Sequence, residues 1–400
     1  LDEVVIVSAL DVTTDVNGFN ADTLVQSAGT GTTTFNGAVA INNSGAGAGT
    51  GLEITTGTIV VNAGVTTANN GKVTFTPATL LDVASGADLS LDGVFLQDGA
   101  GSVETAGDVV TTGDASTFSG AVTLTAGESV VVTSAGGDIT YISTVDGTTD
   151  FTEDLQLTAG GGSIDFQDAV GVTRDLDEVV IVSALDVTTD VNGFRADRLV
   201  QQAGSGTTTF SGSVTIGGGG GIGLDLNGTN FTISDTVDTA TGANGGTATI
   251  TNAGLLSIAD ATSAADTAGV DWNLDGAFVQ DGAGSVSIAG DVSTTDDAVS
   301  FAGAVTLTGN VAIDSNGGTG DTASFASTLG ASGGETLTVD AGPSGDVTVV
   351  GVIGVAAGAN RLGLVTITDA RDVDLQAGVF IAGLSSSSDT FTSGAIDSTT

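Results

Sequence analysis

The sequence predicts an all-β fold, a right-handed parallel β-helix (solenoid) of about 23 residues per coil arranged as long tandem repeats. Three observations predict it. Residues 1–39, LDEVVIVSALDVTTDVNGFNADTLVQSAGTGTTTFNGAV, return at 176–214 with six differences. A hexapeptide of the type Thr117-Phe118-Ser119-Gly120-Ala121-Val122 recurs through the chain. The residues between are Val, Ile, Leu, Thr and Ser, punctuated by 63 Gly with only 2 Pro and 4% aromatics. Such a mixture suits short pleated strands joined by tight corners, not helices.

The hexapeptide sets the coil length. Its relatives are TYISTV (140–145), DFQDAV (165–170), TFSGSV (209–214), SFAGAV (300–305) and, more loosely, SFASTL (324–329). DVTTDV at 11–16 and 186–191 places Val in the Phe slot. The second residue of successive members falls at 118, 141, 166, 187 and 210, giving steps of 23, 25, 21 and 23, and Val12 and Phe35 are again 23 apart. One marker per turn places equivalent side chains about 4.8 Å apart along an axis, as an interior ladder. A string of small antiparallel sandwiches shares the short strands and Gly turns but gives no reason for one Phe or Val per 23 residues. Right-handedness follows from the general preference of parallel crossovers.

The long repeat divides the chain into a first copy at 1–175, a second at 176–361 and the start of a third at 362–400, where LGLVTITDARDVDL matches LDEVVIVSALDVTTDV in outline. The copies diverge over 41–91 and 216–274. They re-align at LDGVFLQDGAGSV (91–103) and LDGAFVQDGAGSV (274–286), where the offset is 183 instead of 175, so the second copy carries a net insertion of eight residues. Insertions of this kind belong in corners or loops. The short steps from Val103 to Phe118 and from Val286 to Phe301 suggest coils of unequal length.

Charge narrows the partners. With 48 acidic and 6 basic residues the formal net charge is −42, which disfavours nucleic acid and anionic membrane surfaces. Divalent cations, surface glycans and further copies of the chain remain as partners. At 40% apolar residues and a mean hydropathy of +0.34 the chain is too apolar to stay disordered. No charged-then-apolar leader opens the sequence at Leu1. The longest apolar-and-Gly stretch, 349–359, is far short of the roughly 20 residues a spanning helix needs, and its glycines fit a buried strand and turn. No transmembrane segment is expected, and the sequence reads as a segment of a longer polypeptide.

Catalysis has little to build on. There is no His and no Cys, so Ser–His–Asp and Cys–His chemistry and nitrogen- or sulfur-based zinc sites are excluded. Gly330-Ala331-Ser332-Gly333-Gly334 matches a nucleophile elbow only literally, and Gly71-Lys72-Val73 lacks the hydroxyl residue of a phosphate loop. Carboxylates with Arg could serve a polysaccharide-cleaving β-helix, but Arg174, Arg195, Arg198, Arg361 and Arg371 read as compensation in an acidic chain. Trp272 and Tyr141 read as core or corner residues. Calcium is the sharper possibility. Gly220-Gly221-Ile222-Gly223-Leu224-Asp225 follows the opening of a calcium-binding nonapeptide, though only once. Asp138, Asp150, Asp154, Asp165 and Asp168 sit at turn positions. If such residues stacked in neighbouring coils, like charges about 5 Å apart would cost ~0.8 kcal/mol per pair even in water, and cations would relieve the repulsion. The sequons at Asn42, Asn227 and Asn230 have chance frequency in so Thr-rich a chain.

The stretch GDITYISTVDGTTDFTEDLQLTAGGGSIDFQDAVG (137–171) and the recurring TFSGAVTLTAG (117–127) resemble the β-strand-repeat segments of giant bacterial exoproteins, similar to the filamentous-haemagglutinin type of adhesin. The resemblance implies export, a β-helix shaft and a place at the bacterial cell surface. The expected role is therefore a structural, non-enzymatic repeat shaft of an extracellular filament, stalk or adhesin. A calcium-binding matrix or surface-layer module and a β-helical polysaccharide-cleaving enzyme are the alternatives. No cofactor is expected beyond the possible Ca²⁺, and no catalytic residue is assigned.

Overall fold

A computed structural model describes residues 1–44, 51–125, 127, 129–217, 221–239, 246–261, 271–315, 321–355 and 361–397. The chain packs as two compact units, Leu1–Ala196 and Asp197–Thr400. Among the described residues there are strands, turns and bends but no helix. Each unit is a β-solenoid of parallel strands stacked about 23 residues apart, as the periodicity predicts.

In the first unit each coil contributes one strand to each of three parallel faces. The first face runs through Glu3–Ile6, Thr23–Gln26, the leading halves of Gly51–Val61 and Lys72–Val83, then Phe95–Gln97, Ser116–Phe118, Ile139–Tyr141, Ile164–Phe166 and Val187–Thr189. The second begins at Val12–Thr14 and continues through Thr32–Phe35, the trailing halves of the same two long strands, Ser102–Thr105, Val122–Leu124, Val145–Asp146, Val170 and Phe194. The third runs from Phe19–Ala21 through Val39–Ile41, Val65–Thr67, Leu89–Leu91, Val109–Thr111, Ser129–Thr133 and Asp154–Thr158 to Leu176–Ser183. Side chains alternate across each strand. In Ser129–Thr133, for example, Val130 and Val132 are buried while Ser129 is exposed.

Register carries the packing. Because strands pair in parallel, each inward side chain lies on the inward side chain of the coil before it. Phe118, Tyr141 and Phe166 occupy one line, with Phe118 and Tyr141 rings 4.9 Å apart at 6° and Tyr141 and Phe166 rings 5.3 Å apart at 7°. Phe95 joins Phe118 at 5.1 Å, and Phe75 joins Phe95 at 6.3 Å. Gly120 of the hexapeptide is dictated by the coil below, since a Cβ there would stand 2.1 Å from the Gly101 carbonyl oxygen.

Two sequence readings are corrected by this register. The Val of DVTTDV does not occupy the Phe slot: Val12 pairs with Thr33 and it is Thr14 that pairs with Phe35, while Val187 pairs with Ile164. The error is two residues, which keeps the inward parity of a strand and so hides from periodicity. Val103 and Phe118 do not measure a coil, because they lie on different faces; Val103 pairs with Val122 and Gln97 with Phe118. Over 41–91, where the two copies diverge, the coil continues. Leu52, Ile54, Ile59, Val61, Val73 and Phe75 fill the interior there.

The long repeat is not a whole number of coils. Its opening strand lies on the first face in the first copy, at Glu3–Ile6, but on the third face in the second copy, at Leu176–Ser183. Within the first unit the repeated opening is therefore displaced by one face. The sequence already contains this, since 175 is no multiple of 23.

The second unit repeats the scheme. One face runs through Val214–Ile216, Val237–Asp238, Trp272–Leu274, Val292–Thr294 and Val311–Asp314 into Leu337–Val349 and then Leu362–Leu375. Trp272, Phe278, Phe301 and Phe325 form its ring contacts, at 5.3, 5.1 and 5.2 Å in turn. In the divergent 216–274 region the described strands keep their pairing. Residues 240–245 and 262–270, the middle of that region, lie outside the described residues. The 349–359 stretch ends the strand Leu337–Val349 and then supplies Ile353, bridged to Leu329 and Val379; 356–359 lie outside the described residues. Among the described residues no helix is long and apolar enough to cross a membrane.

The stacked rings should dominate local stability. Phe118→Ala removes a ring packed on both sides, for which a loss of about 3–5 kcal/mol is expected. Chemical denaturation of the variant measures it; a loss below about 1 kcal/mol would mean that the stack is not close-packed.

Candidate functional site

Carboxylates are the dominant charged groups of the solenoid, 48 against 6 basic residues, and those that cap corners follow one rule. Where a strand leaves its face, the N–H of the next coil loses its ladder partner and must be satisfied otherwise. An Asp or Asn side chain of the coil below accepts it. Asp11 Oδ1 accepts from Thr32 N at 2.8 Å, Asp108 Oδ1 from Val131 N at 2.8 Å, Asp138 Oδ1 from Ser163 N at 2.8 Å and Asp154 Oδ1 from Glu178 N at 3.1 Å. The second unit does the same through Asn230 to Leu255 N, Asp291 to Ala312 N and Asn310 to Thr336 N.

This rule accounts for three of the five turn aspartates singled out from the sequence, Asp138, Asp150 and Asp154; the other two accept from side chains and from a neighbouring N–H. Asp138 and Asp154 cap the coil above. Asp150 accepts Asp175 N at 3.3 Å and pairs with Arg174 at 3.5 Å. Asp165 accepts the Gln167 amide at 2.7 Å, and Asp168 accepts Ala169 N and the Asn192 amide at 2.8 and 2.9 Å. They do not line up as a carboxylate ladder; Asp165, for one, lies between Thr140 and Thr188. One of the five does belong to a stacked acid pair, since register places Glu178 above Asp154; further pairs occur elsewhere. Register places Asp88 below Asp108, Asp271 below Asp291 and Asp297 below Asp321. Burial, with help from the neighbouring Asp271 and Asp260, pushes the Asp291 carboxyl above its ordinary value. Burial and the neighbouring Asp321, Asp275 and Asp296 do the same to Asp297.

Glutamine is the corner residue that the sequence reading missed. Gln97 is buried, donates its amide to Gly99 O and Gly101 O, and accepts Ser119 N and Gly120 N of the next coil at 2.9 and 2.8 Å. Gln280 repeats the arrangement with Gly282 O, Asn252 Oδ1, Ala302 N and Gly303 N. Thus the QDGAGS motif at 97–102 is the mate of the hexapeptide above it. A signal was present: Gln97 stands two residues after buried Phe95, a polar group at an inward position of the strand.

The remaining candidates fall to structural places. Lys72 pairs with Glu53 of the coil below at 3.0 Å. Arg195 pairs with Asp175, Arg361 with Asp397, and Arg371 with Asp346 and Asp372. Arg198 donates to Ile222 O at 3.3 Å. Trp272 and Tyr141 are fully buried, and burial pushes the Tyr141 phenol up. Ser332 donates to Glu335 at 2.7 Å, and Glu335 also accepts Gly333 N at 2.7 Å. Burial raises that carboxyl, but these hydrogen bonds outweigh it and hold it below its ordinary value. A carboxylate so stabilised is a poor base for a serine, and the elbow-like motif is a capped turn. Gly220 lies outside the described residues; Asp225 of the same motif sits in the middle of the strand Ile222–Gly228, paired with Val200 and Thr249. Among the described residues no group of three or more carboxylates converges as a metal site. A shallow groove of about 270 Å³ in the second unit, lined by Val305, Leu329, Gly330, Ala331, Val352 and Val355 among others, contains no ionisable side chain.

No family model matches the chain, and no curated protein or solved structure matches it.

The buried corner acids give a pH signature. A carboxyl whose folded pKa is raised costs stability when ionised; the cost is full above that pKa and vanishes as pH falls below the ordinary carboxylate value. Asp291→Asn keeps the acceptor for Ala312 N and removes the charge. Its melting temperature should exceed that of the parent at pH 7, and the gap should close as pH falls to about 4. A gap that persists unchanged at pH 4 would contradict this assignment.

Proposed function

We propose that the chain is a structural, non-enzymatic shaft segment of an extracellular filament, stalk or adhesin at a bacterial cell surface, the role its resemblance to repeat exoproteins suggests. The observation that carries the reading is how the polar groups are used. Corner acids and glutamines are engaged in capping backbone N–H groups of the next coil, which is the chemistry of a continuous shaft. A glycoside hydrolase needs two free carboxyl groups about 5–10 Å apart across a substrate groove, and the groove of the second unit is lined without one. The negative charge on the corners would keep neighbouring shafts apart within the ~8 Å reach of electrostatics at physiological salt.

The calcium-binding matrix reading has one specific support. Asp321 Oδ2 is buried without a hydrogen-bond partner, and Asp297 lies in the register position below it. Negative-stain electron microscopy of the protein as isolated from its source, with and without a chelator, separates the readings. Long thin rods indifferent to the chelator are expected. Rods that fall apart in chelator would favour the calcium matrix, and discrete compact particles would overturn the shaft and return the carbohydrate enzyme to the front.

A further inference from the structure

Stacked acids at the corners mostly meet donors. Asp271 is buried, and its two oxygens accept Ala261 N and Asp291 N at 3.1 and 2.8 Å. Asp291 in turn accepts Ala312 N at 2.6 Å, and Asp88 accepts Asp108 N at 3.1 Å. Asp297 and Asp321, both in the second unit, depart from this pattern. They precede the strands Val299–Phe301 and Thr322–Phe325, and the pairing of Val299 with Ala323 sets them one above the other on successive coils. Asp321 is 8% exposed, and its Oδ2 is buried with no hydrogen-bond partner among the described residues. Basic side chains are committed elsewhere: Lys72, Arg174, Arg195, Arg361 and Arg371 pair with other acids, and Arg198 reaches the Ile222 carbonyl. What surrounds the pair is further negative charge, since Asp275 and Asp296 act on Asp297 together with Asp321.

A carboxylate taken out of water with nothing to compensate it is costly, and a positive partner removes that cost. We propose that Asp297 and Asp321 bind a single divalent cation of the Ca²⁺ type, which ties two successive coils of the second unit together at this corner. The spacing suits the ion. Paired strands lie about 4.8 Å apart, and Ca²⁺ holds each oxygen at about 2.3–2.6 Å, so an ion midway between the stacked carboxylates meets one oxygen of each. The charge suits it too: two carboxylates neutralise a divalent ion, and Asp275 and Asp296 deepen the negative field around it. Because Asp321 Oδ2 is already out of water and without a donor, the ion displaces no hydrogen bond there. Two carboxylates are fewer than the full ligand set of Ca²⁺, and water and main-chain oxygens, which this ion accepts, would complete it. Mg²⁺ demands near-ideal octahedral geometry and sheds its water reluctantly, so the corner should prefer Ca²⁺.

The proposal shares its chemistry with the calcium-binding reading and gives it a defined place, but it holds whether the chain serves as a shaft or a matrix. Calorimetric titration and thermal melting of the full chain, stripped with a chelator and then supplied with CaCl₂, test it. Ca²⁺ at about a hundred times its Kd should raise the melting temperature of the parent by roughly 5 °C or more. Asp321→Asn and Asp297→Asn should each bind one Ca²⁺ fewer and lose most of that rise. Asp291→Asn, at a stacked pair whose oxygens have donors, should keep it. In chelator Asp321→Asn should melt no lower than the parent, because the uncompensated charge is gone. No rise in the parent, or an equal rise in Asp321→Asn, would overturn the proposal. A parent indifferent to Ca²⁺ yet stabilised by Asp321→Asn would overturn it as well, and would show that the pair shares a proton instead. Its failure and that of the matrix reading are distinguishable. Ca²⁺ bound at this corner in rods indifferent to chelator would sink only the matrix, and chelator-sensitive rods from a chain whose Ca²⁺ response survives Asp321→Asn would sink only this site.

Discussion

Everything in this molecule depends on the in-register parallel pairing of one coil with the next. A three-residue strand such as Ser116–Phe118 or Ile139–Tyr141 is too short to be stable alone, and an isolated coil has no interior. Stacking supplies both at once. It hydrogen-bonds the backbone along the axis and lays each inward side chain on its equivalent, which is how Phe118, Tyr141 and Phe166 come to stack nearly parallel. Stability in such a system is a sum over nearest neighbours, so a coil is as stable as what lies on either side of it.

The acidic composition follows from the corners more than from any ligand. Each coil turns from one face to another, and at each turn backbone N–H groups leave the ladder. Asp and Asn, with a short side chain carrying an acceptor, satisfy them from the coil below, and the buried Gln97 and Gln280 do so from inside. The arrangement has a cost where acids stack. Asp291 above Asp271 and Asp297 beside Asp321 are partly buried like charges, and both have carboxyls raised above the ordinary range. At Asp291 the chain trades electrostatic repulsion for a satisfied backbone N–H, that of Ala312.

Much of this was legible in the sequence because a solenoid writes its period directly into the chain. The spacing of Phe118, Tyr141 and Phe166 gave the coil length, and the repeated opening gave the array. Parity concealed the rest. A strand read two residues out of register looks the same, so Val12 was aligned with Phe35 although Thr14 is its partner. The three faces were equally hidden, because a once-per-coil marker reports one face and says nothing of the other two. The capping acids looked like candidate cation ligands, since a sequence shows a carboxylate at a turn but not the N–H that it accepts from the coil 20 to 30 residues on.

A shaft needs length, regularity and surfaces that do not adhere to one another, and this fold offers a modular coil with its polar groups engaged at the corners. The central claim is that neighbouring coils, not local sequence, confer stability. Hydrogen exchange of the Phe118→Ala variant, resolved to the flanking strands Phe95–Gln97 and Ile139–Tyr141 that pair with its own, tests it most directly. Both strands, unchanged in sequence, should exchange faster than in the parent, by about ten-fold or more. Unchanged exchange in both would contradict the account.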